Sequence, residues 1–354
     1  MMKRRQTWGF VALVILLIGC EGAAEKLKEE MLPTAGGEIG EMILVIDSAQ
    51  WKGAIGDELK EAFRAPMIGL PQDEPMFSVN KVNPRKLNNL LKSATNMVFV
   101  MTLDSKTVES KTIRRYFTNQ SLNKIQQDTS LWMTIRNDEF AKGQVALYLF
   151  AKDEATLVRK LDQNMGRLRA FFESVEQKRI KKKLYASRAS EVEKAIRESQ
   201  GVSIQVPFGW DLAKNLSNFS WIRFLEVDRE MDLFIYQQPY TSQSVFDDLP
   251  GLRDEITGQF LRDSEKPELY IARQEIVPVF QETVSFQGNF AKKARGLWRI
   301  SDNSGGGPFI SYTIVDEATQ KLFYIEGYVY APAGRKKNFV REVDAILSTF
   351  KTSN

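Results

Sequence analysis

Histidine is absent from all 354 residues, and cysteine occurs once, at position 20. Histidine is the one side chain whose unperturbed pKa lies near neutrality, and it is the commonest metal ligand. Its absence removes Ser-His-Asp and Cys-His nucleophile pairs, His-based zinc sites and facial-triad iron sites. A single cysteine rules out an intrachain disulfide, and a chain of this length can bury enough apolar surface to fold without one. Carboxylate-only or lysine-based chemistry survives this filter, so the reading is of a non-enzyme with no cofactor, no metal and no catalytic residue assigned. No run is long and apolar enough to span a bilayer: Phe10–Ile18 is about half the required length.

That short run has a clear use. Lys3, Arg4 and Arg5 precede it, giving the basic and apolar regions of a secretory signal peptide over residues 1–19. Leu17-Ile18-Gly19-Cys20 then resembles the bacterial lipobox, which implies cleavage before Cys20 and acylation of its thiol. Each buried methylene contributes about 0.8 kcal/mol, so several chains on one residue would anchor it stably. The expected site is the outer membrane, facing the periplasm or the cell surface.

Charge follows from the same cut. The chain carries 49 basic and 45 acidic residues, and losing the leader's three cations leaves a net charge near +1. Nothing global then argues for nucleic acid or for an anionic membrane surface. Residues 20–40 are charged and glycine-containing, expected as a lipidated flexible tether with a reach of about 25 Å. Glu21, Glu25, Glu29 and Glu30 in it read either as a sorting signal or as plain solvation, the second being favoured.

From Glu41 the pattern is globular, and two domains are expected, 41–185 and 190–354. In the first, Met42–Ile46 and Asn96–Leu103 read as strands buried on both faces. Ile55, Leu59 and Phe63 give a helix ending before Pro66, and Met76–Val82 a further strand. Asn83-Pro84 predicts a capped helix carrying Leu87, Leu90 and Leu91. Ile113–Phe117 reads as helical. A hairpin pair, Leu131–Arg136 and Val145–Phe150, then leads to a long helix from Asp153. The second domain reads as a meander. Its strands are Val202–Val206, Ser220–Val227, Met231–Tyr236 and Leu269–Ile276, then Val279–Phe290, Leu297–Ser301, Phe309–Val315 and Leu322–Tyr330. One helix carries Leu252, Ile256 and Phe260, and a last one runs to Phe350. The fold class is α+β, two mixed or antiparallel sheets flanked by amphipathic helices. Tyr148-Leu-Phe-Ala151 and Tyr328-Val-Tyr-Ala331, each leading into a helix, raise a duplicated unit as an alternative to two unrelated halves.

The stretch Glu41–Pro75, with Trp51-Lys-Gly53, Gly56-Asp57 and Leu70-Pro-Gln-Asp-Glu-Pro75, resembles an uncharacterised lipoprotein family of Bacteroidetes-type bacteria, over essentially the whole mature chain. The second half is faintly similar to PsbP-type domains, through Pro207-Phe-Gly-Trp210, Tyr324–Tyr330 and Ile346–Phe350. The first family carries no assigned activity; the second resemblance implies an α/β/α sandwich that acts as an extrinsic binding or assembly subunit, and neither transfers a catalytic residue.

Four features invite a site reading. Ser304-Gly-Gly-Gly-Pro308 lacks the lysine and hydroxyl of a phosphate loop and reads as a flexible turn. Arg335, Lys336 and Lys337 open a helix whose free N–H groups favour an anion; alternatively Asn338 caps the helix and the cations are solvated, which is the favoured reading. Trp51 and Trp210, among the five tryptophans beyond the signal segment with Trp132, Trp221 and Trp298, are candidate ligand-contact aromatics, against the commoner role of tryptophan as core. The pairs Asp57-Glu58 and Asp247-Asp248 sit where carboxylates stabilise helix starts, yet a glycan hydrolase would need two such groups in one cleft. The expected partners are the membrane, through Cys20, and an envelope protein, peptide or glycan.

Overall fold

The computed structural model describes residues 31–352, so Cys20 and the acidic residues after it lie outside the described residues. The described chain forms two compact units. One comprises residues up to Arg64 together with Phe77–Arg169; the other comprises Ala65–Met76 and everything from Ala170. The division between the two units falls within a long helix, and the twelve residues before Phe77 group with the second unit. No described helix is long and apolar enough to cross a membrane.

The first unit is built on five strands: β1 (Glu41–Val45), β2 (Ser78–Val82), β3 (Asn96–Thr102), β4 (Met133–Asn137) and β5 (Val145–Ala151), in the order β2-β1-β3-β5-β4. All pairings are parallel except β4 on β5. β3 and β5 are buried at every residue, the signature of a strand covered on both faces. On one face Val45, Phe99, Met101 and Tyr148 pack with Ile113 of α4 (Val108–Arg114) and Ile125 of α5 (Asn119–Gln127). The alternate residues Leu44, Val98 and Leu147 point the other way. Buried apolar residues of α2 (Ala54–Arg64) include Ile55, Leu59 and Phe63. A short α1 (Ser48–Lys52), capped by Asp47, precedes it.

Three expectations need correction here. The tether does not run free to Gly40, because Ala35 N–H donates to Lys142 O at 2.9 Å and Gly36 N–H to Ser93 O at 2.9 Å. The helix from Asn83 is only a 3-10 turn, Pro84–Lys86, followed by α3 (Asn89–Lys92). Asn88 starts that second element by accepting from Leu91 N–H at 2.9 Å, which leaves Leu90 80% exposed. Residues 105–130 hold two helices, α4 and α5, each capped by a threonine, Thr107 and Thr118.

The long helix α6 (Glu154–Leu184) belongs to the first unit up to Arg169 and to the second beyond it. The second unit then adds α7 (Ser190–Gln200), closed by Gly201 in the left-handed region at φ 68°. Its main sheet contains β7 (Asp211–Asn215), β8 (Phe219–Leu225), β9 (Glu230–Pro239), β10 (Ile271–Arg273), β11 (Phe280–Phe286), β12 (Asn289–Ile300), β13 (Gly306–Asp316) and β14 (Lys321–Tyr330). Their order is β10-β12-β13-β14-β9-β8-β7, with β11 also on β12, and every pairing is antiparallel. β6 (Val202–Ser203) and β15 (Lys351–Thr352) pair separately.

One sheet face carries Leu233, Ile235, Ile310 and Ile325 against Val343 and Ile346 of α9 (Lys337–Leu347). The other carries Phe219, Phe234, Phe309 and Tyr324 against Ile256 and Phe260 of α8 (Leu249–Phe260). Each such large apolar side chain contributes about 1.5–3 kcal/mol when fully buried. The fold class is therefore α+β, as the pattern implies, but the halves do not repeat one another. β5 pairs parallel with β3 and antiparallel with β4, whereas β14 pairs antiparallel with both β13 and β9.

The expected strand Val279–Phe290 is instead a hairpin. Gln287 and Gly288 turn it, with φ of 51° and 93°, and the second value suits glycine. What reads as a separate strand at Leu297–Ser301 is the far end of β12.

Candidate functional site

A concavity in the second unit lies where β9 and β12 leave the sheet. After Pro239 the chain stays attached through Tyr240 N–H, which donates to Gln320 O at 2.9 Å. Ser242 then caps a 3-10 turn, Gln243–Phe246, and Asp248 caps α8 by accepting from Gly251 N–H at 2.9 Å. Opposite it, the β12–β13 ladder begins only at Ala291↔Ile314, while Asn289 and Phe290 continue on β11 alone. The hairpin tip therefore splays from the end of β13. Gln287 holds it there, its Nε2 donating to Ser348 O at 2.9 Å and Phe350 O at 2.8 Å.

The result is a chamber of about 550 Å³. Its rings are Tyr240, Phe246 and Phe290; its polar lining is Gln243, Ser244, Asp247 and Glu317. Phe246 stands perpendicular to Phe290, at 87° and 5.2 Å, and the Tyr240 ring lies 6.4 Å from it. Phe290 is 46% exposed, high for a residue of its kind within a strand. Phe290, Val315 and Glu317 also line a cavity of about 250 Å³, which in turn shares Asn289 and Thr352 with one of about 220 Å³. Neither the Asp247 nor the Glu317 carboxylate has a hydrogen-bond or ion-pair partner among the described residues.

Two polar clusters lie on the α8 face of the same sheet. Arg253 and Glu326 are both fully buried and joined by a fork, Nε to Oε2 at 2.9 Å and Nη2 to Oε1 at 2.7 Å. Tyr324 donates to Glu326 at 2.7 Å, and the guanidinium sits 4.2 Å from the Phe309 ring. Burial works against the guanidinium, but Glu326 outweighs it and holds Arg253 above its ordinary value. Asp232 has no exposure; it accepts from Trp221 Nε1 at 2.8 Å and lies 3.4 Å from Arg223 Nε. Burial, and then the charge of Glu230, push Asp232 well above the carboxylate range. A group sealed in this way holds the sheet together but meets no ligand.

The residues singled out from sequence fall elsewhere, with one exception. The helix start at Arg335–Lys337 is neither an open anion site nor capped by Asn338. Glu74 fills it, accepting from Lys336 N–H at 2.6 Å and Lys337 N–H at 3.3 Å, across 262 residues of sequence. Lys336 and Lys337 are buried rather than solvated, and their Nζ atoms donate to Gly334 O and Pro75 O, both at 2.9 Å. Burial first, and the neighbouring Arg341 charge second, push the Lys337 ammonium down to about 8. Asn338 accepts from Arg341 Nη1 instead, at 3.2 Å.

Trp210 is 4% exposed and packs in the core against Phe224, so it has no face to offer a ligand. Trp51 is half-buried, and Lys60 and Arg64 lie 5.0 and 5.4 Å from its ring. Trp298 is core and Trp221 serves Asp232; Trp132 is half-buried. Asp57 pairs with Lys60 at 2.8 Å, while burial and then Asp162 push Glu58 upward. Gly306 and Gly307 are strand, not turn: a Cβ on Gly307 would lie 2.0 Å from Val329 O. Asp247 is the exception, because it lines the chamber. No described group of three or more His, Cys, Asp or Glu is placed to hold a metal.

Two family models match the chain, each described only as a domain of unknown function, DUF8532 over residues 35–185 and DUF4837 over 189–349. Together they cover nearly all of the described residues, so the chain consists of two domains of uncharacterised families. No curated protein matches it. Among solved structures, the Saccharomyces cerevisiae Ran-binding protein Mog1p is similar at 9% identity and TM-score 0.28, covering 43% of this chain and 90% of that one. LpqN, involved in cell envelope biogenesis of Mycobacterium tuberculosis, is similar at 11% identity and TM-score 0.27, covering 43% and 83%. A Bacteroides thetaiotaomicron protein covers 43% and 45%, at 8% identity and TM-score 0.25. Likeness at this level transfers no activity and no partner.

Proposed function

We propose that this chain is a lipid-anchored protein of the cell envelope that holds a partner without transforming it, and that the splayed-sheet groove is where it does so. The observation that carries this reading is the groove itself: three aromatic rings and two carboxylates without partners, at the open end of a rigid antiparallel sheet. Binding sites are typically concave and mostly apolar, with a few polar groups that fix orientation. The anchor rests on the Leu17–Cys20 motif.

A photoreactive phenylalanine at position 290, in the full chain expressed in its own cells, should cross-link a defined envelope component. The same residue at Val227, fully exposed on the β8–β9 turn, should not. Equal labelling from both positions, or none from 290, would count against the groove. In the same cells, a clickable palmitate analogue should label the wild type but not Cys20→Ser.

A glycan hydrolase is the second reading, favoured by Asp247 and Glu317 lining one chamber. Both carboxylates are exposed, whereas a general acid working near neutrality needs a desolvated one. Release of soluble fragments from purified cell wall by the wild type but not by Asp247→Asn would favour the hydrolase.

A further inference from the structure

The chamber's electrostatics are one-sided. Of the eight residues that line it, two are carboxylates and none is a lysine or arginine. Lys351 is the first cation along the groove, in the third compartment. Phe246 and Phe290 form two walls at right angles, with Tyr240 beside them. Phe290 is 46% exposed in this edge-to-face pair, so ring face is left for a cation, and carboxylates in reach add a Coulomb attraction. A neutral sugar would use the rings but leave two charges unmatched, and an anionic ligand would meet repulsion. The groove is also longer than one cationic head group requires. A second cavity shares Phe290, Val315 and Glu317 with it at the end of β13, where the β12 ladder has let go. An extended chain fits that continuation; a free amine leaves it empty.

We infer that the groove takes a basic polypeptide segment of a partner protein, seating one lysine or arginine side chain among Tyr240, Phe246 and Phe290 between Asp247 and Glu317. The inference rests on the groove being the binding site proposed above.

The test uses the full chain in detergent and fluorescent peptides read by anisotropy at low salt. The probes are an acetylated Lys-Gly repeat, its norleucine analogue and its glutamate analogue, with spermidine as a free-amine competitor. The lysine peptide should bind, and the norleucine and glutamate peptides should bind at least about tenfold more weakly. Asp247→Asn/Glu317→Gln should weaken the lysine peptide by at least about tenfold, and Phe290→Ala by about fivefold. All these side chains are at least partly exposed, and a thermal melt confirms that each variant is folded. Equal binding of the norleucine or glutamate peptide, or indifference to the double substitution, would overturn the inference. So would spermidine competing as strongly as the peptide, since a free amine would then be the ligand. If cross-linking through position 290 still captures a partner while the charge variants have no effect, the groove stands as a binding site and only its preference for a cation falls.

Discussion

Arg253 and Glu326 show how much a single pair can fix. Both are buried, and a fork from Arg253 Nε and Nη2 to Glu326, with Tyr324 donating to the same carboxylate, joins them. Removing one partner leaves a buried charge alone, which typically costs about 3–5 kcal/mol, whereas replacing both with apolar groups is close to neutral. Arg253→Met should therefore lower stability by about that amount in a denaturant titration. Arg253→Met/Glu326→Leu should recover most of it, and a double variant no better than the single would refute the pairing.

Asp232 makes the pH-dependent prediction at this scale. Its folded pKa is raised, so the stability it contributes is full below the ordinary carboxylate value of about 4 and is lost as pH rises through the folded value. Asn in its place still accepts from Trp221 but has no proton to lose. Asp232→Asn should gain on the wild type between pH 4 and pH 8, and a constant difference would show that Asp232 does not titrate this way. These residues had a sequence signal. Arg253 interrupts the apolar face formed by Leu249, Ile256 and Phe260, and Asp232 and Glu326 interrupt apolar strands. A charge inside such a pattern must be partnered or protonated. Tyr240, Phe246 and Phe290 had none, since an aromatic in a polar stretch looks the same whether it lines a groove or packs elsewhere.

Among elements, α9 depends on a residue distant in sequence. Its N-terminal N–H groups face Glu74, and no side chain of its own caps it. Glu74→Ala removes both the acceptor and the charge that complements the helix dipole. It should cost about 1–2 kcal/mol, with faster amide exchange at the start of α9. Unchanged exchange there would mean that the cap is dispensable.

No local rule could have found this cap, because Glu74 and Lys336 meet only through the fold. The amphipathic helices and buried strands were legible because their period is set by one face being apolar: Ile55-Leu59-Phe63 and Asn96–Thr102 fall where the pattern put them. α7 was not, because its eleven residues carry few apolar side chains, with Val192 and Ile196 packed on the core. The β11–β12 turn was missed because Gln287, a residue with little turn preference, occupies the first left-handed position.

At the scale of the molecule, composition narrowed the chemistry and the fold supplied the place. The lack of histidine and the single cysteine point away from most catalytic constellations, and the N-terminal pattern points to the envelope. Neither could reveal the groove, which exists because two strands of one sheet part company at Phe290 and Val315. Hydrogen exchange on the full chain, compared between native envelope membranes and the purified protein, tests the central claim most directly. A holder whose groove is occupied in its own envelope should show slowed exchange at residues 240–247 and 286–291 in the membranes, and should lose that protection on purification. Equal exchange in both states, or protection confined to the β8–β9 turn, would contradict it.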